Sequence, residues 1–107
     1  MVRRQGQDNF ALKRYDQAID LARQAIAMNP NYVLWAHTYL VAALALTGRN
    51  TEAREALQRY LALPSARPLK TIAAWKALNM SLGGDPRFVE SNERMYEGLR
   101  KAGMPEE

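Results

Sequence analysis

One segment of this chain occurs twice, and this internal repeat limits the folds open to the sequence. Residues 13–18 and 48–53 each read as a short turn, a polar first helical turn and then a small alanine. The two alanines, Ala18 and Ala53, lie 35 residues apart. A fixed period of roughly 20–50 residues is typical of stacked supersecondary units. The repeat therefore predicts a solenoid of similar units.

Both copies continue after the alanine in the same way. Apolar residues recur at helical spacing, and each run then stops at a proline, which cannot continue a helix interior. The residues of the first copy are Ala22, Ala25, Ile26, Met28 and Pro30, and those of the second are Ala56, Leu57, Tyr60, Leu61, Leu63 and Pro64. Each copy is therefore expected to contain a helix that ends at the proline.

This pattern resembles the tetratricopeptide repeat, which has a pair of helices in each repeat. The matching positions are Gly6, Tyr15, Ala18, Ala25, Met28 and Pro30 in the first copy, and Leu40, Leu44, Gly48, Ala53 and Leu63 in the second, with Pro64 one place early. Three positions depart from the pattern: Lys13 replaces a glycine, His37 an aromatic residue and Asn50 a tyrosine. The resemblance implies an all-α fold of antiparallel helical hairpins in a short right-handed solenoid, with an atypical C-terminal helical cap.

The helical pattern also predicts where the elements lie. We expect helices over residues 2–12, 15–28, 32–46 and 51–63, with Asn31 as an N-cap and a break at residues 64–68. A fifth helix should run to about Leu82, and a last one should extend from Pro86 to Gly103. Gly98 inside that helix is expected to cost about 1 kcal/mol relative to alanine. The chain then divides into two hairpins over 1–64 (1–30 and 31–64) and capping helices over 65–107, in a single domain.

The first repeat should have begun before Met1, because Pro30 closes it and no polar capping element precedes it. Two interpretations fit this pattern. The chain is either a piece of a longer protein or a short protein that pairs with a second copy through its open first hairpin. We favour the longer protein.

The C-terminal residues 95–106, which end in Tyr-Glu-Gly-Leu-Arg-Lys-Ala-Gly-Met-Pro-Glu, resemble the end of certain bacterial class III adenylate/guanylate cyclases. In those proteins a tetratricopeptide region follows the catalytic domain. Residues 25–32 and 42–49 are similar to the repeats of the same family, and a related tail occurs on repeat regions of DNA-binding response regulators. The resemblance implies an accessory module of a bacterial signalling protein. The alternatives are a free-standing, self-associating adaptor and the effector-side module of a transcriptional regulator.

The sequence contains no recognisable catalytic, metal or cofactor site. It has no cysteine, and its single histidine, His37, has no second ligand or base at a suitable spacing, so a half-buried structural role is expected. No phosphate-binding glycine loop or nucleophile elbow occurs. We therefore expect a non-enzyme with no cofactor.

Charge and hydropathy favour a cytoplasmic protein that binds neither nucleic acid nor membrane. The net charge is +4, but the arginines are scattered rather than clustered with aromatic residues. No apolar stretch is long enough to span a bilayer, and the N-terminus lacks the apolar core of a signal peptide.

The family's register also implies a concave binding face, formed by the first helix of each pair. Its positions are Arg3, Arg4, Gln7, Phe10, Ala11, Trp35, Thr38, Tyr39, Ala42 and Leu46. Arginine at one end and aromatic residues at the other suit an extended or helical peptide with acidic groups. The partner would be another protein or the catalytic domain of the same polypeptide. Trp35 and Tyr39 could instead pack against the next hairpin.

Overall fold

A computed structural model describes residue 10 and residues 12–31, 36–81 and 89–107 of the chain. The described part is an all-α helical repeat fold, and it contains no strand. Its elements are α1 (Tyr15–Met28), α2 (Ala36–Leu46), α3 (Asn50–Leu61), a 3₁₀ helix η1 (Pro64–Leu69), α4 (Ile72–Ser81) and α5 (Val89–Ala102).

Helix α1 confirms the predicted bounds of 15–28. It buries Ala18, Ile19 and Ala22, which share one face at helical spacing. At its end, the backbone N–H of Asn29 donates to the carbonyl of Ala25. The expected first helix, over 2–12, lies outside the described residues apart from Phe10 and Leu12.

Helix α2 is the centre of the fold. All ten residues from Ala36 to Ala45 are buried, so no side of this helix faces water. A helix that is apolar all round needs neighbours on every side, and α1, α3 and α5 are its main contacts. The predicted start of this helix, with Asn31 as N-cap, lies in part outside the described residues.

Helix α3 ends at Leu61, two residues earlier than predicted. The reason lies at Leu63, which has an extended conformation (φ −73°, ψ 130°). A residue that precedes proline is sterically driven out of the helical region, and Pro64 follows Leu63 directly. The expected break over 64–68 is confirmed, and its residues form the short helix η1.

Helix η1 and helix α4 are joined to α3 by a buried polar cluster. The hydroxyl of Tyr60 donates to the carbonyl of Leu69 at 2.5 Å, and the indole Nε1 of Trp75 donates to the same carbonyl at 3.1 Å. The indole also lies 3.2 Å from the Tyr60 hydroxyl oxygen. Three polar groups that burial would otherwise leave unpaired thus satisfy one another.

The C-terminal tail folds back onto the start of α4. Helix α5 ends in a Schellman motif, in which the N–H of Met104 donates to the carbonyl of Leu99 and Gly103 has φ 108°. The carbonyls of Pro105 and Glu106 then accept from the N–H groups of Ile72 and Ala73, each at 2.9 Å. The tail therefore satisfies two of the donors that the start of α4 would leave unpaired.

Helix α5 lies across the central helix α2 at unusually short range. A Cβ built on Gly98 would stand 2.7 Å from the Cα of Ala42 and 2.8 Å from its carbonyl oxygen. Real Cβ atoms do not approach backbone so closely, and only glycine fits here. Beside the intrinsic helix cost expected of a glycine, Gly98 thus has a packing role that the sequence did not predict, because it permits the contact between α5 and α2.

Candidate binding surfaces

The structure separates the residues of the expected concave face into two groups. Five of them lie outside the described residues: Arg3, Arg4, Gln7, Ala11 and Trp35. The other five are Phe10, Thr38, Tyr39, Ala42 and Leu46. Of these, the first four are buried, with exposed fractions between 0% and 8%, and Leu46 packs partly buried against the core.

An open peptide-binding wall at these described positions was therefore a wrong prediction. The Phe10 ring stacks on Tyr39 with 5.2 Å between ring centroids, and its edge meets Tyr15 at 5.4 Å. Aromatic rings packed in this way stabilise a core. Tyr39, for which both a core and a groove position were open, belongs to the core.

Helix α5 covers this face and occupies the place that a helical ligand would take. The guanidinium of Arg94 donates from Nη1 to the Tyr15 hydroxyl at 2.7 Å and to the Phe10 carbonyl at 3.2 Å. Its Cζ also lies 5.7 Å from the centroid of the Phe10 ring. One turn further along α5, Gly98 meets Ala42. Helix α5 thus covers the expected concave face, here called the inner face.

The apolar stripe of α5 completes that contact. Four apolar residues, Met95, Tyr96, Leu99 and Ala102, are buried along one side of the helix. The hydroxyl of Tyr96 accepts from the side-chain amide of Asn79 on α4 at 2.6 Å, and burial raises the pKa of this tyrosine. The spacing of these four residues is a feature of the sequence alone, but the residues that they cover are known only from the fold.

His37 is buried and has the structural role that was expected. Its Nε2 lies 2.8 Å from the carbonyl of Pro30. A carbonyl can only accept, so the ring carries its proton on Nε2 and donates to Pro30. Burial is the main cause that lowers the pKa of His37, and the positive charge of Arg59 lowers it further. Burial therefore favours the neutral form of the ring over the imidazolium.

His37 also lies at the edge of a cleft between the two outer helices. This cleft, here called the α1–α3 cleft, has a volume of about 190 Å³. Its lining residues are Arg23 and Ile26 on α1, His37 and Leu40 on α2, and Ala56 and Arg59 on α3. The sequence alone does not predict this cleft, because its residues come from three helices and share no spacing along the chain.

A comparison with protein families decides the fold family. The family model described as tetratricopeptide repeat matches residues 9–68 of the chain, more than half of its length. The chain belongs to the tetratricopeptide repeat family. No curated protein and no solved structure gave a significant match.

The tetratricopeptide match ends between two parts of the chain: the helices that form the α1–α3 cleft and the helix that covers the inner face. The matched region contains α1, α2, α3 and the whole α1–α3 cleft, whereas α4 and α5 lie beyond it. The helix that covers the inner face is therefore additional to the matched repeats. Tetratricopeptide repeats generally mediate protein–protein interaction, and they are typically non-catalytic.

Neither metal binding nor membrane insertion has support in the described residues. They contain no group of three or more histidine, aspartate or glutamate side chains that could hold a metal ion. Likewise, none of the described helices combines the length and the apolar character that crossing a bilayer requires.

Proposed function

We propose that this chain is a non-catalytic protein-interaction module, the C-terminal accessory region of a cytoplasmic bacterial signalling protein. The resemblance of residues 95–106 to the tail of class III nucleotide cyclases supports the signalling context and makes a cyclase domain the first candidate for the attached effector. Within the module, residues 1–30 and 31–64 form two hairpins and residues 65–107 form the cap. The partner is another protein or the effector domain of the same polypeptide.

One observation determines which surface we propose for partner binding: helix α5 covers the inner face of the repeats. A partner could reach α2 only by displacing the contacts of Arg94 and Gly98. The outer sides of α1 and α3 need no such rearrangement. The partner therefore binds the outer surface of α1 and α3.

An exposed apolar side chain supports this outer surface as a contact region. Met28, at the end of α1, has 82% of its surface exposed. Methionine adapts its shape readily and is common at protein-binding surfaces. A matched control exists on α4, where Met80 is 79% exposed. The two positions differ in location but hardly in exposure.

The first experiment is to read the coding sequence upstream of Met1 and to express the polypeptide that the gene encodes. An effector domain in the same frame is the expected result. A free-standing gene would contradict the accessory role and favour the self-associating adaptor.

The second experiment compares Met28→Glu with Met80→Glu in that polypeptide. We expect Met28→Glu to change the effector activity, or the affinity of the effector for its partner, by about threefold or more, because it places a charge in an apolar contact. Met80→Glu should change neither. Equal effects of the two variants, or no effect of Met28→Glu, would rule out docking on α1.

A further inference from the structure

The α1–α3 cleft brings two cationic side chains to one apolar surface. Arg23 comes from α1 and Arg59 from α3, and both line the same opening. The remaining lining is largely apolar, with Ile26, Leu40 and Ala56. A cleft that combines charge of one sign with apolar walls raises the local concentration of the opposite charge.

Among the described residues, no carboxylate balances the positive charge in this cleft. Within the part of the chain that the structure describes, the salt bridges use other arginines: Arg49 with Asp16, Arg94 with Glu90, and Arg100 with Glu97 and Glu106. Arg23 and Arg59 have no carboxylate partner there. Guanidinium groups bind carboxylates through paired hydrogen bonds, so a carboxylate is the complementary ligand group.

The side chain of His37 also belongs to the lining. Its Nε2–H is already used by the Pro30 carbonyl, so the neutral ring keeps its lone pair on Nδ1. Two cationic donors beside an apolar surface match a peptide better than an inorganic anion. A peptide offers a carboxylate, N–H donors and apolar side chains together.

We propose that the α1–α3 cleft binds an acidic side chain of a partner peptide between Arg23 and Arg59, with a neighbouring apolar residue against Ile26 and Leu40. This inference rests on the proposed function, since it specifies what the outer surface recognises. The ligand is a glutamate or aspartate next to a large aliphatic residue. Recognition is by charge and shape, and it involves no covalent step.

The test is an NMR titration of the intact chain with N-acetyl-glutamyl-leucinamide. The dipeptide should shift the resonances of Arg23, His37 and Arg59, with a Kd on the order of millimolar. The neutral analogue N-acetyl-glutaminyl-leucinamide should bind at least fivefold more weakly. Inorganic phosphate, titrated in parallel, should also bind more weakly, because it lacks the apolar group.

Matched variants connect the binding to the cleft. Arg23→Gln and Arg59→Gln should each weaken the dipeptide about fivefold, since each removes a charge-assisted hydrogen bond. Arg54→Gln is the control, because Arg54 is an exposed residue of the same helix as Arg59 but does not line the cleft. Equal affinity for the neutral dipeptide or for phosphate, or unchanged affinity in both cleft variants, would overturn the proposal.

The same variants distinguish this proposal from the proposed function. If Met28→Glu disrupts partner binding while Arg23→Gln and Arg59→Gln do not, the outer-surface function stands and the carboxylate site fails. If none of the three variants affects the partner, but the dipeptide still binds as expected, the site stands and the outer-surface function fails.

Discussion

At the scale of single residues, the two repeats have different amino acids at one turn, although the backbone conformation of the turn is the same in both. Gly48 follows α2 with φ 83°, and its N–H and that of Arg49 close a Schellman motif. Lys13 lies 35 residues earlier and has φ 61°, with its N–H bonded to the Phe10 carbonyl. Lys13, which replaces the family glycine, therefore has the left-handed conformation, although its Cβ makes this conformation sterically unfavourable.

Lys13→Gly should consequently stabilise the protein. A left-handed residue with a Cβ costs roughly 1–2 kcal/mol, and the greater freedom of glycine in the unfolded chain offsets part of the gain. We expect the free energy of unfolding to rise by about 0.5–1 kcal/mol, measured by urea denaturation. Gly48→Lys, the reciprocal variant, should lower it by a similar amount. A decrease for Lys13→Gly would show that this turn is not left-handed.

The buried histidine predicts a pH dependence near neutrality. His37 is the only histidine in the chain, and burial, with Arg59 beside it, holds its folded-state pKa below 6.5. Arg23 also lines the cleft at this ring. As pH falls below about 6.5, the unfolded chain takes up this proton before the folded chain does. The contribution of His37 to stability should therefore be fully present above about pH 6.5 and be lost as the pH falls from there through the folded pKa.

The matched variant for this pH effect is His37→Gln, which cannot titrate in this range. Its free energy of unfolding, followed from pH 8 to pH 5 by urea denaturation, should vary less than that of the unmodified protein. Parallel curves for the two proteins would show that His37 titrates alike in the folded and unfolded chains.

At the scale of elements, the attachment of η1 and α4 depends on one phenol. The Tyr60 hydroxyl and the Trp75 indole meet at the Leu69 carbonyl, and burial raises the pKa of Tyr60 to about 12. Tyr60→Phe removes the buried hydroxyl donor. The Leu69 carbonyl then keeps only the hydrogen bond from the Trp75 indole. The free energy of unfolding should fall by about 1–2 kcal/mol.

A double-mutant cycle with Trp75→Phe tests whether these two groups act together. Because both donate to one carbonyl, the two single losses should not add. Additive losses in urea denaturation would mean that the hydroxyl and the indole stabilise α4 independently.

The elements also show how far the sequence could predict the fold. Helices α1 and α3 followed from local signals, namely the apolar spacing and the prolines at 30 and 64, which need no tertiary information. The docking of α5 on α2 depends on contacts between residues more than 50 positions apart, such as Ala42 and Gly98. Local periodicity identifies the buried stripe of α5 but not the helix beneath it. For that reason the inner face was expected to be an open groove.

The same limit applies to the candidate site. The α1–α3 cleft takes its charge from Arg23 and Arg59, which looked like ordinary solvated arginines in the sequence. Only the folded arrangement of α1, α2 and α3 brings them to one opening. In contrast, the buried role of His37 was predictable, because it replaces an aromatic packing residue of the repeat.

At the scale of the whole molecule, the C-terminal segment 95–106 fixes the position of α5. The residues of the tail each have a role: Gly98 permits the approach to α2, Gly103 ends α5 in a left-handed conformation, and Pro105 and Glu106 pair with the start of α4. Arg100 also pairs with Glu106, which raises the pKa of the arginine and lowers that of the carboxyl. The tail thus holds α5 over the inner face, and for this reason we propose the outer surface of α1 and α3 as the partner site.

The central claim, that α5 covers α2, is tested most directly by the sign of one stability change. In an exposed helix, Gly98→Ala should raise the free energy of unfolding by up to about 1 kcal/mol, since alanine is the better helix former. Against Ala42 the new Cβ has no room, so we predict a decrease of about 1–3 kcal/mol in urea denaturation. The control Lys101→Ala, at an exposed site on α5, should change it by less than about 0.5 kcal/mol. An increase for Gly98→Ala would contradict the claim and return the inner face to the candidate binding surfaces.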